Sequence, residues 1–159
     1  MSKSLTRLKR GRAIHLLDPE NLCGSPLLTN AMVAEMRRMY ASAVPVGAQD
    51  HIVLASAHIS LIQMADAWPG VRYQVRSGKD GADICLARIM LDEQLSDRFD
   101  HVIVASGDGG LAPFVAEIAR RGARVTVVSR MAAISPYMRL AATDVIYIDS
   151  PSATMALAA

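Results

Sequence analysis

Short apolar, β-branched runs alternate with longer stretches of helical period along most of the chain. The apolar runs predict strands at Ala13 to Leu17, His51 to Ser56, Val71 to Arg76, His101 to Ala105 and Ala123 to Val128, with a sixth, edge strand at Val145 to Ile148. The helical stretches predict helices at Leu28 to Val44, Ile59 to Ala67, Asp83 to Leu95, Leu111 to Arg121 and Pro136 to Ala142, and DPENLCGSP after the first strand indicates a polar loop. Strands this apolar need cover on both faces, so the pattern predicts an α/β three-layer sandwich around a mainly parallel sheet.

Composition and charge fit one folded domain with a short basic arm. The chain has 159 residues, of which 52% are hydrophobic, which excludes intrinsic disorder and leaves little room for a second domain. Residues 1–12 contain five basic residues and no acid, whereas the remaining twelve bases stand against fifteen acids, a charge of −3. We therefore expect a basic arm at 1–12, a mildly acidic domain at 13–149 and a flexible tail at 150–159.

Location in the cell is predicted from what the sequence lacks. No apolar run reaches the eighteen or so residues that a membrane span needs, and the basic start is not followed by the apolar stretch of a signal peptide. Cys23 and Cys85 are widely spaced and lie in or beside apolar stretches, which favours reduced thiols over a disulfide or a zinc site. We expect a cytoplasmic protein with no membrane partner.

Candidate chemistry lies just after the predicted strands, where ligands of parallel sheets bind. Asp18 and Asn21 follow the first strand, Asp83 follows the third, and Ser106 and Asp108 follow the fourth. Three carboxylates converging on one edge would raise one another's pKa unless a cation neutralised them, and oxygen ligands suit Mg²⁺ or Mn²⁺. Such an ion activates water and stabilises charge developing on a phosphodiester, which predicts metal-assisted hydrolysis.

Each acid also has a purely structural interpretation. Asp18 fits a helix cap, Asp83 fits an acid in the first turn of a helix, and Asp108 fits a turn that it holds through its own backbone. Taken singly, each structural interpretation is favoured over catalysis. The expected agreement of all three on one sheet edge reverses that preference.

Four motifs stand out along the chain: the first strand followed by LLDPENL, KDGADICLA at 79–87, VIVASGDGGLAPFV at 102–115 and RGARVTVVSRMAAISPYMRLAATDVIYID at 121–149. Together they resemble the NYN domains of the PIN-like nuclease superfamily. The resemblance covers most of residues 13–149 and implies a PIN-like Rossmannoid fold with an acidic, metal-dependent ribonuclease site. It implies that Asp18, Asp83 and Asp108 bind the metal, that Asn21 and Ser106 orient water or phosphate, that Ser135 is a further polar site position, and that Asp144 is structural.

One departure from the family pattern bears directly on activity. Members commonly carry Ser-Gly-Asp-x-Asp followed by an aromatic residue, whereas this chain has Gly110 in place of the second acid and Leu111 in place of the aromatic. Loss of one of four acids weakens metal affinity, although three acids still suffice for one ion. Asp80, beside Lys79, is a possible compensating acid and equally an ordinary solvated side chain.

Basic residues near the strand ends are candidate RNA contacts. Arg76, Lys79 and Arg130 fit phosphates flanking the scissile one, with solvated surface as the alternative. Only seven aromatic residues are present, too few and too scattered for a base-stacking platform, so we expect RNA recognition by charge and shape. The basic arm would add salt-sensitive binding. His58 fits a residue that begins a helix better than an acid-base group.

Three hypotheses follow for function. The first is a ribonuclease dependent on Mg²⁺ or Mn²⁺. The second, favoured by Gly110, is a non-catalytic RNA- or partner-binding module on the same fold with a degraded site. The third, a phosphatase or nucleotide-binding domain suggested by Asp18 and Glu20, lacks the remaining motifs of those classes. The apolar side of the helix at Leu28 to Val44 fits a homodimer interface as well as a core.

Overall fold

A computed structural model describes residues 11–148 of the chain. Its six strands are β1 (Ala13–Leu17), β2 (His51–Ser56), β3 (Arg72–Val75), β4 (His101–Ala105), β5 (Arg124–Ser129) and β6 (Asp144–Tyr147). Its helices are α1 (Pro19–Cys23), α2 (Asn30–Ala43), α3 (Leu61–Ala67), α4 (Gly81–Asp92), α5 (Leu95–Arg98), α6 (Ala112–Arg120) and α7 (Pro136–Ala141), with 3₁₀ turns at His58–Ser60 and Gly109–Leu111. The proposed arm at 1–12 and tail at 150–159 lie almost wholly outside the described residues.

The sheet is parallel throughout and has the strand order β3-β2-β1-β4-β5-β6. The predicted α/β fold with a central parallel sheet is therefore confirmed, as is the position of the last strand at an edge. Strand order reverses between β1 and β4, and the segments after these two strands flank the crevice where ligands of such sheets bind. Asp18 follows β1 directly, and Asp108 is the third residue after β4.

Two hydrophobic clusters cover the two faces and complete three layers. On one face α4, α5, α6 and α7 pack over alternate strand residues such as Ile14 and Leu16. On the other face α1, α2 and α3 pack over the intervening residues such as Leu17. Because each strand has apolar side chains on both sides, its sequence shows an unbroken apolar run. The apolar residues of α2 are used in this core, which accounts for its amphipathic pattern within the monomer.

The prediction of a polar loop after β1 was wrong in part, because this segment contains α1. Asp18 caps this helix by accepting a hydrogen bond from the Asn21 N–H, and Pro19 occupies its first turn. Gly24 then ends it in the left-handed conformation, with φ +69°. Five residues are too few to show a helical period, so only the Asp-Pro start and the Gly stop indicated the helix.

The helix predicted from Asp83 to Leu95 corresponds to α4, and only its predicted last residue belongs to a second helix, α5. α4 begins at Gly81 and ends at Asp92, and α5 follows at Leu95 after Gln94 adopts a left-handed backbone with φ 49°. The earlier start places Asp83 inside the first turn of α4. Cys23 and Cys85 form no disulfide, as predicted.

Candidate active site

The site is built at the carboxyl ends of β1 and β4, which pair in register. Leu17 lies opposite Ala105, and the pairing extends one residue further through a hydrogen bond of 3.0 Å from the Asp18 N–H to the Ala105 carbonyl. Asp18 therefore enters the crevice beside the start of the Ser-Gly-Asp loop. Its side chain is only 6% exposed.

Asn21 holds that loop against α1. Its side-chain oxygen accepts a hydrogen bond of 3.0 Å from the Gly107 N–H, and its own backbone N–H donates to Asp18. Ser106 is fully buried, and its hydroxyl oxygen accepts the Asp108 N–H at 3.3 Å. Asn21 and Ser106, predicted to orient water or phosphate, thus make contacts that position the backbone carrying Asp108.

Glycine is required in the Ser-Gly-Asp turn because a second loop passes close to it. A Cβ on Gly107 would lie 2.3 Å from the Ala133 carbonyl oxygen, and a Cβ on Gly109 would lie 2.7 Å from the Ser135 hydroxyl. Ser135 also donates its backbone N–H to the Gly107 carbonyl and caps α7 through its hydroxyl. Ser135 therefore lies next to the site and supports the backbone of the Ser-Gly-Asp turn.

Asp83 and Asp108 meet in the crevice from α4 and from the loop after β4. Burial, a hydrogen bond with Asp108 and the negative charges of Asp108, Asp18 and Asp80 all raise the pKa of Asp83. One carboxylate oxygen of Asp83, Oδ1, is buried with no hydrogen-bond partner. Asp108 is itself partly tied to its turn, because its Oδ1 accepts the Gly110 N–H at 2.7 Å.

Asp18 is the third acid of this group. Burial, aided by the charges of Glu20 and Asp108, raises the pKa of Asp18 to about 7 despite the hydrogen bond from Asn21. Strongly perturbed carboxyls in a crevice are a physical sign of a functional site. The structure thus gives each acid its capping or turn role and also brings all three into electrostatic contact.

Glu20, which suggested a phosphatase, is engaged at the neighbouring strand end. Its Oε1 accepts the Ser56 hydroxyl at 2.6 Å and the Ala57 N–H at 3.1 Å, so it ties α1 to the end of β2. Asp80 is exposed and takes the left-handed conformation that precedes α4, with φ 57°. Gly110 is exposed, and a Cβ there would meet only Asp108 Oδ1, at 3.1 Å.

The candidate RNA contacts lie on different parts of this edge. Arg130 donates from Nε to the Asn21 carbonyl at 3.1 Å, and its guanidinium lies against Gly24, so it braces the loop after α1. Arg76 and Lys79 are exposed on the segment between β3 and α4. His58 begins a 3₁₀ turn and contacts the Ser77 hydroxyl.

Two further residues lie away from the crevice. Asp144, expected to be structural, pairs with Arg124 at 2.7 Å at the opposite end of the sheet. His15 is fully buried in β1, a central strand of the sheet.

The donor chemistry and the geometry bear differently on a divalent cation. Carboxylate oxygens are the ligands that Mg²⁺ and Mn²⁺ prefer. Asp83 Oδ1 is buried without a hydrogen-bond partner, and a cation would supply the missing interaction. Within residues 11–148, however, no group of three or more His, Cys, Asp or Glu residues is arranged to hold a metal ion. The residues therefore fit a cation shared by Asp83 and Asp108, with Asp18 as a nearby charge rather than a full ligand.

Sequence reasoning missed the contacts that support the site. The Asn21 bond to Gly107, the Glu20 bonds at the end of β2 and the Arg130 bond to Asn21 join residues that are far apart in sequence or on different elements. None of them has a local spacing pattern. Only the placement of polar residues at strand ends pointed toward them.

Comparison with known proteins gives the family and the fold. The model of the NYN domain matches residues 34–149, which include Asp83, Ser106 and Asp108 but not Asp18 or Asn21. No curated protein matches the chain. No helix within residues 11–148 combines the length and the hydrophobicity needed to cross a membrane.

A solved structure has the same fold. It is the crystal structure of a protein of unknown function from Vibrio parahaemolyticus, 19% identical, with a TM-score of 0.64 over 88% of this chain and 94% of that one. At this identity the likeness concerns the fold alone. The family match spans more than half of the chain, and the acidic crevice lies where this fold binds its ligands. The chain therefore belongs to the NYN domain family, within the PIN-like nuclease superfamily.

Proposed function

We propose that this protein is a ribonuclease that hydrolyses RNA phosphodiester bonds at the Asp18, Asp83 and Asp108 crevice with the help of Mg²⁺ or Mn²⁺. The observation that carries the proposal is that these three acids, from three separate segments of the chain, lie close enough for their charges to interact. This interaction, together with burial, raises the pKa of Asp18 and Asp83. Membership of a nuclease-type family supports RNA as the substrate.

The chain's own residues supply position and charge. Asp83 and Asp108 would hold the cation, which when bound activates water and neutralises charge on the phosphate. Asn21 and Ser106 keep the Ser-Gly-Asp loop in place, so that Asp108 faces Asp83. Asp18, which is buried and near enough to Asp108 for their charges to interact, adds negative charge that attracts cations to the crevice when it is ionised.

The test is cleavage of single-stranded and structured RNA by purified protein, with Mn²⁺, Mg²⁺ or EDTA, beside Asp108→Asn. Asn keeps an oxygen to accept the Gly110 N–H, so the turn is preserved while the charge is removed. We expect metal-dependent cleavage by the wild type and its loss in the variant. Equal cleavage by both proteins would identify a contaminating nuclease and overturn the proposal.

A second candidate function is a non-catalytic RNA-binding module. Gly110 presents no acid at the position where the family commonly has one, and the described residues contain no three-ligand metal group. This candidate predicts RNA binding without cleavage in any metal. Under the ribonuclease proposal, cleavage by the wild type excludes it.

A further inference from the structure

A groove runs along the outer edge of the sheet between β3 and α4. It has a volume of about 310 Å³, at the lower end of the roughly 300–1,000 Å³ usual for ligand sites. β3 pairs only with β2, so it forms one edge of the sheet. The groove begins at Arg76 and Ile84, and Ile84 directly follows Asp83 in α4. This end of the groove is therefore next to the acidic crevice along α4, although Asp83 itself does not line the groove.

The positive charge in this groove is concentrated at the end near the crevice. Arg76 and Arg88 line it, and neither side chain has a hydrogen bond or an ion pair with any residue in 11–148. At the far end Arg72 is held by Glu93 at 2.6 and 3.0 Å, and Asp92 adds a negative charge. The near half of the groove therefore carries two uncompensated cations, whereas the far half does not.

Most other arginines in the described part of the chain are used in contacts within the protein. Arg38, Arg98, Arg120, Arg121 and Arg124 pair with carboxylates, Arg37 lies over the Trp68 ring, and Arg130 donates to a backbone carbonyl. Two guanidinium groups left without partners in one groove provide forked donors suited to phosphate oxygens.

Cys85 lines the same groove as these two arginines. Burial raises the pKa of the Cys85 thiol, and the positive charges of Arg76 and Arg88 act to lower it. Val75, Ile84 and Ile89 add apolar side chains to the lining. A flexible strand with one charged and one less polar side matches this lining.

We propose that the near half of this groove, with Arg76 and Arg88, binds the phosphate backbone of single-stranded RNA where the strand leaves the crevice. The proposal rests on the proposed ribonuclease function for the direction of the strand, and it adds Arg88 and the groove itself. The far half, where Asp92 adds a negative charge beside the paired Arg72 and Glu93, limits the contact to about one or two phosphates. Binding there is independent of base identity, in keeping with the shortage of aromatic residues.

The test measures binding of a fluorescein-labelled single-stranded RNA to the full-length protein by anisotropy, in EDTA to prevent metal-dependent cleavage. Arg76→Gln and Arg88→Gln should each weaken affinity about three- to tenfold and reduce the slope of log affinity against log salt by about 0.7. Arg120→Gln is the matched control, because it removes one charge from α6 while Glu117 keeps Arg121 as a partner. The control should change affinity less than twofold.

Cys85 provides a second readout in the wild type. Cys23 is 1% exposed, so alkylation of the folded protein by iodoacetamide reports on Cys85 alone. Saturating RNA should slow Cys85 alkylation severalfold. Unchanged alkylation, or affinities of Arg76→Gln and Arg88→Gln equal to that of the control variant, would overturn the groove proposal.

The two proposals fail in different ways. Binding that depends on Arg76 and Arg88, with no cleavage in any metal, supports the groove and removes the ribonuclease activity. Metal-dependent cleavage lost in Asp108→Asn, with binding and Cys85 alkylation insensitive to the groove, retains the ribonuclease and removes the groove. Absence of RNA binding by the wild type overturns the groove proposal.

Discussion

Two groups of buried polar residues lie along strand β1, one toward its amino end and one at its carboxyl end, and they differ in whether their charges have partners. Toward the amino end, His15, the middle residue of β1, is held between the Tyr40 hydroxyl at 2.6 Å and Asp50 at 3.0 Å. Asp50 also accepts the backbone N–H groups of Gly47 and Ala13. At the carboxyl end, Asp18 faces other acids, and Asp83 Oδ1 has no partner.

The electrostatic consequences follow from these partners. Burial acts to raise the pKa of Asp50, but hydrogen bonds from His15, Gly47 and Ala13 hold it below its usual value. Burial raises the pKa of Asp18 to about 7, because the backbone hydrogen bonds from Asn21 and Glu20 do not offset desolvation and the charges of two neighbouring acids. Asp50 is thus satisfied as an anion, whereas Asp18 is not.

This difference separates a structural site from a functional one. Natural sequences satisfy buried polar groups where only stability is at stake, and they tolerate unsatisfied charge mainly at functional sites. The amino-end network belongs to the first kind. The acidic crevice fits the second, because a bound cation would supply the positive charge that the protein itself omits.

The largest expected effect is on RNA cleavage, and it should distinguish a change at Asp83 from the same change at the nearby Asp80. Asp83→Asn should lower RNA cleavage about 100-fold or more, because it removes a carboxylate from the cation pair. Asp80→Asn is the matched control, since Asn tolerates the left-handed backbone at this exposed position. Its cleavage rate should stay within about threefold of the wild type. Equal losses in both variants would show that general charge, rather than the Asp83 position, matters.

At the amino end the expected effect is on stability. Asp50→Ala should lower the free energy of unfolding by about 2–4 kcal/mol, because His15 and two backbone N–H groups lose their acceptor in a buried place. Urea unfolding followed by circular dichroism measures the change. RNA cleavage per folded molecule should be unaffected, and a specific loss of activity would contradict the division between the two ends.

Asp18→Asn should change stability in the opposite direction. Folded Asp18 keeps its proton up to about pH 7, whereas the unfolded carboxyl releases it near pH 4. Wild-type stability contributed by this group is therefore present at low pH and lost as pH rises from about 4 through about 7.

The variant lacks this loss, because Asn carries no charge and still caps α1. At pH 8 it should be about 1–3 kcal/mol more stable than the wild type, below the roughly 4 kcal/mol that a shift of this size is worth. Near pH 4 the gain should disappear. Urea midpoints at the two pH values decide the matter, and a gain that does not depend on pH would point to a cause other than titration.

The smallest expected effect concerns the missing family acid. Gly110 is exposed, and an added Cβ meets only the Asp108 carboxylate, so the fold should accept Gly110→Asp. The variant should increase metal-dependent cleavage a few-fold by adding a ligand to the crevice. Gly110→Asn, with equal size and no charge, is the control. Equal rates in the two variants would show that the position does not contribute to the cation site.

The sequence predicted the frame of the fold closely where strands are buried on both faces. β1, β2 and β4 were predicted with the bounds observed, because their unbroken apolar runs end at polar residues. α1 was missed because five residues show no period, and the break at Gln94 was missed because it depends on a single residue with positive φ.

The position of the site could be predicted from the sequence, but the contacts that hold its residues in place could not. Strand ends and family motifs pointed to Asp18, Asp83 and Asp108, and parallel pairing of β1 with β4 brings the first and last together. The support by Asn21, Glu20 and Arg130 could not be predicted, since it depends on tertiary contacts. Arg88 had no motif to mark it, because its significance comes only from the groove that it shares with Arg76.

The central claim is that the acids at the carboxyl end of β1 have raised pKa values, which a bound cation would lower. NMR titration of carboxyl ¹³C shifts tests it directly, with Asp50 as an internal reference. We predict that Asp18 titrates near pH 7, that the pKa of Asp50 lies below its usual value, and that Mg²⁺ lowers the pKa of Asp18 and Asp83 but leaves that of Asp50 unchanged. Titration of Asp18 and Asp83 near pH 4, unchanged by Mg²⁺, would contradict the claim.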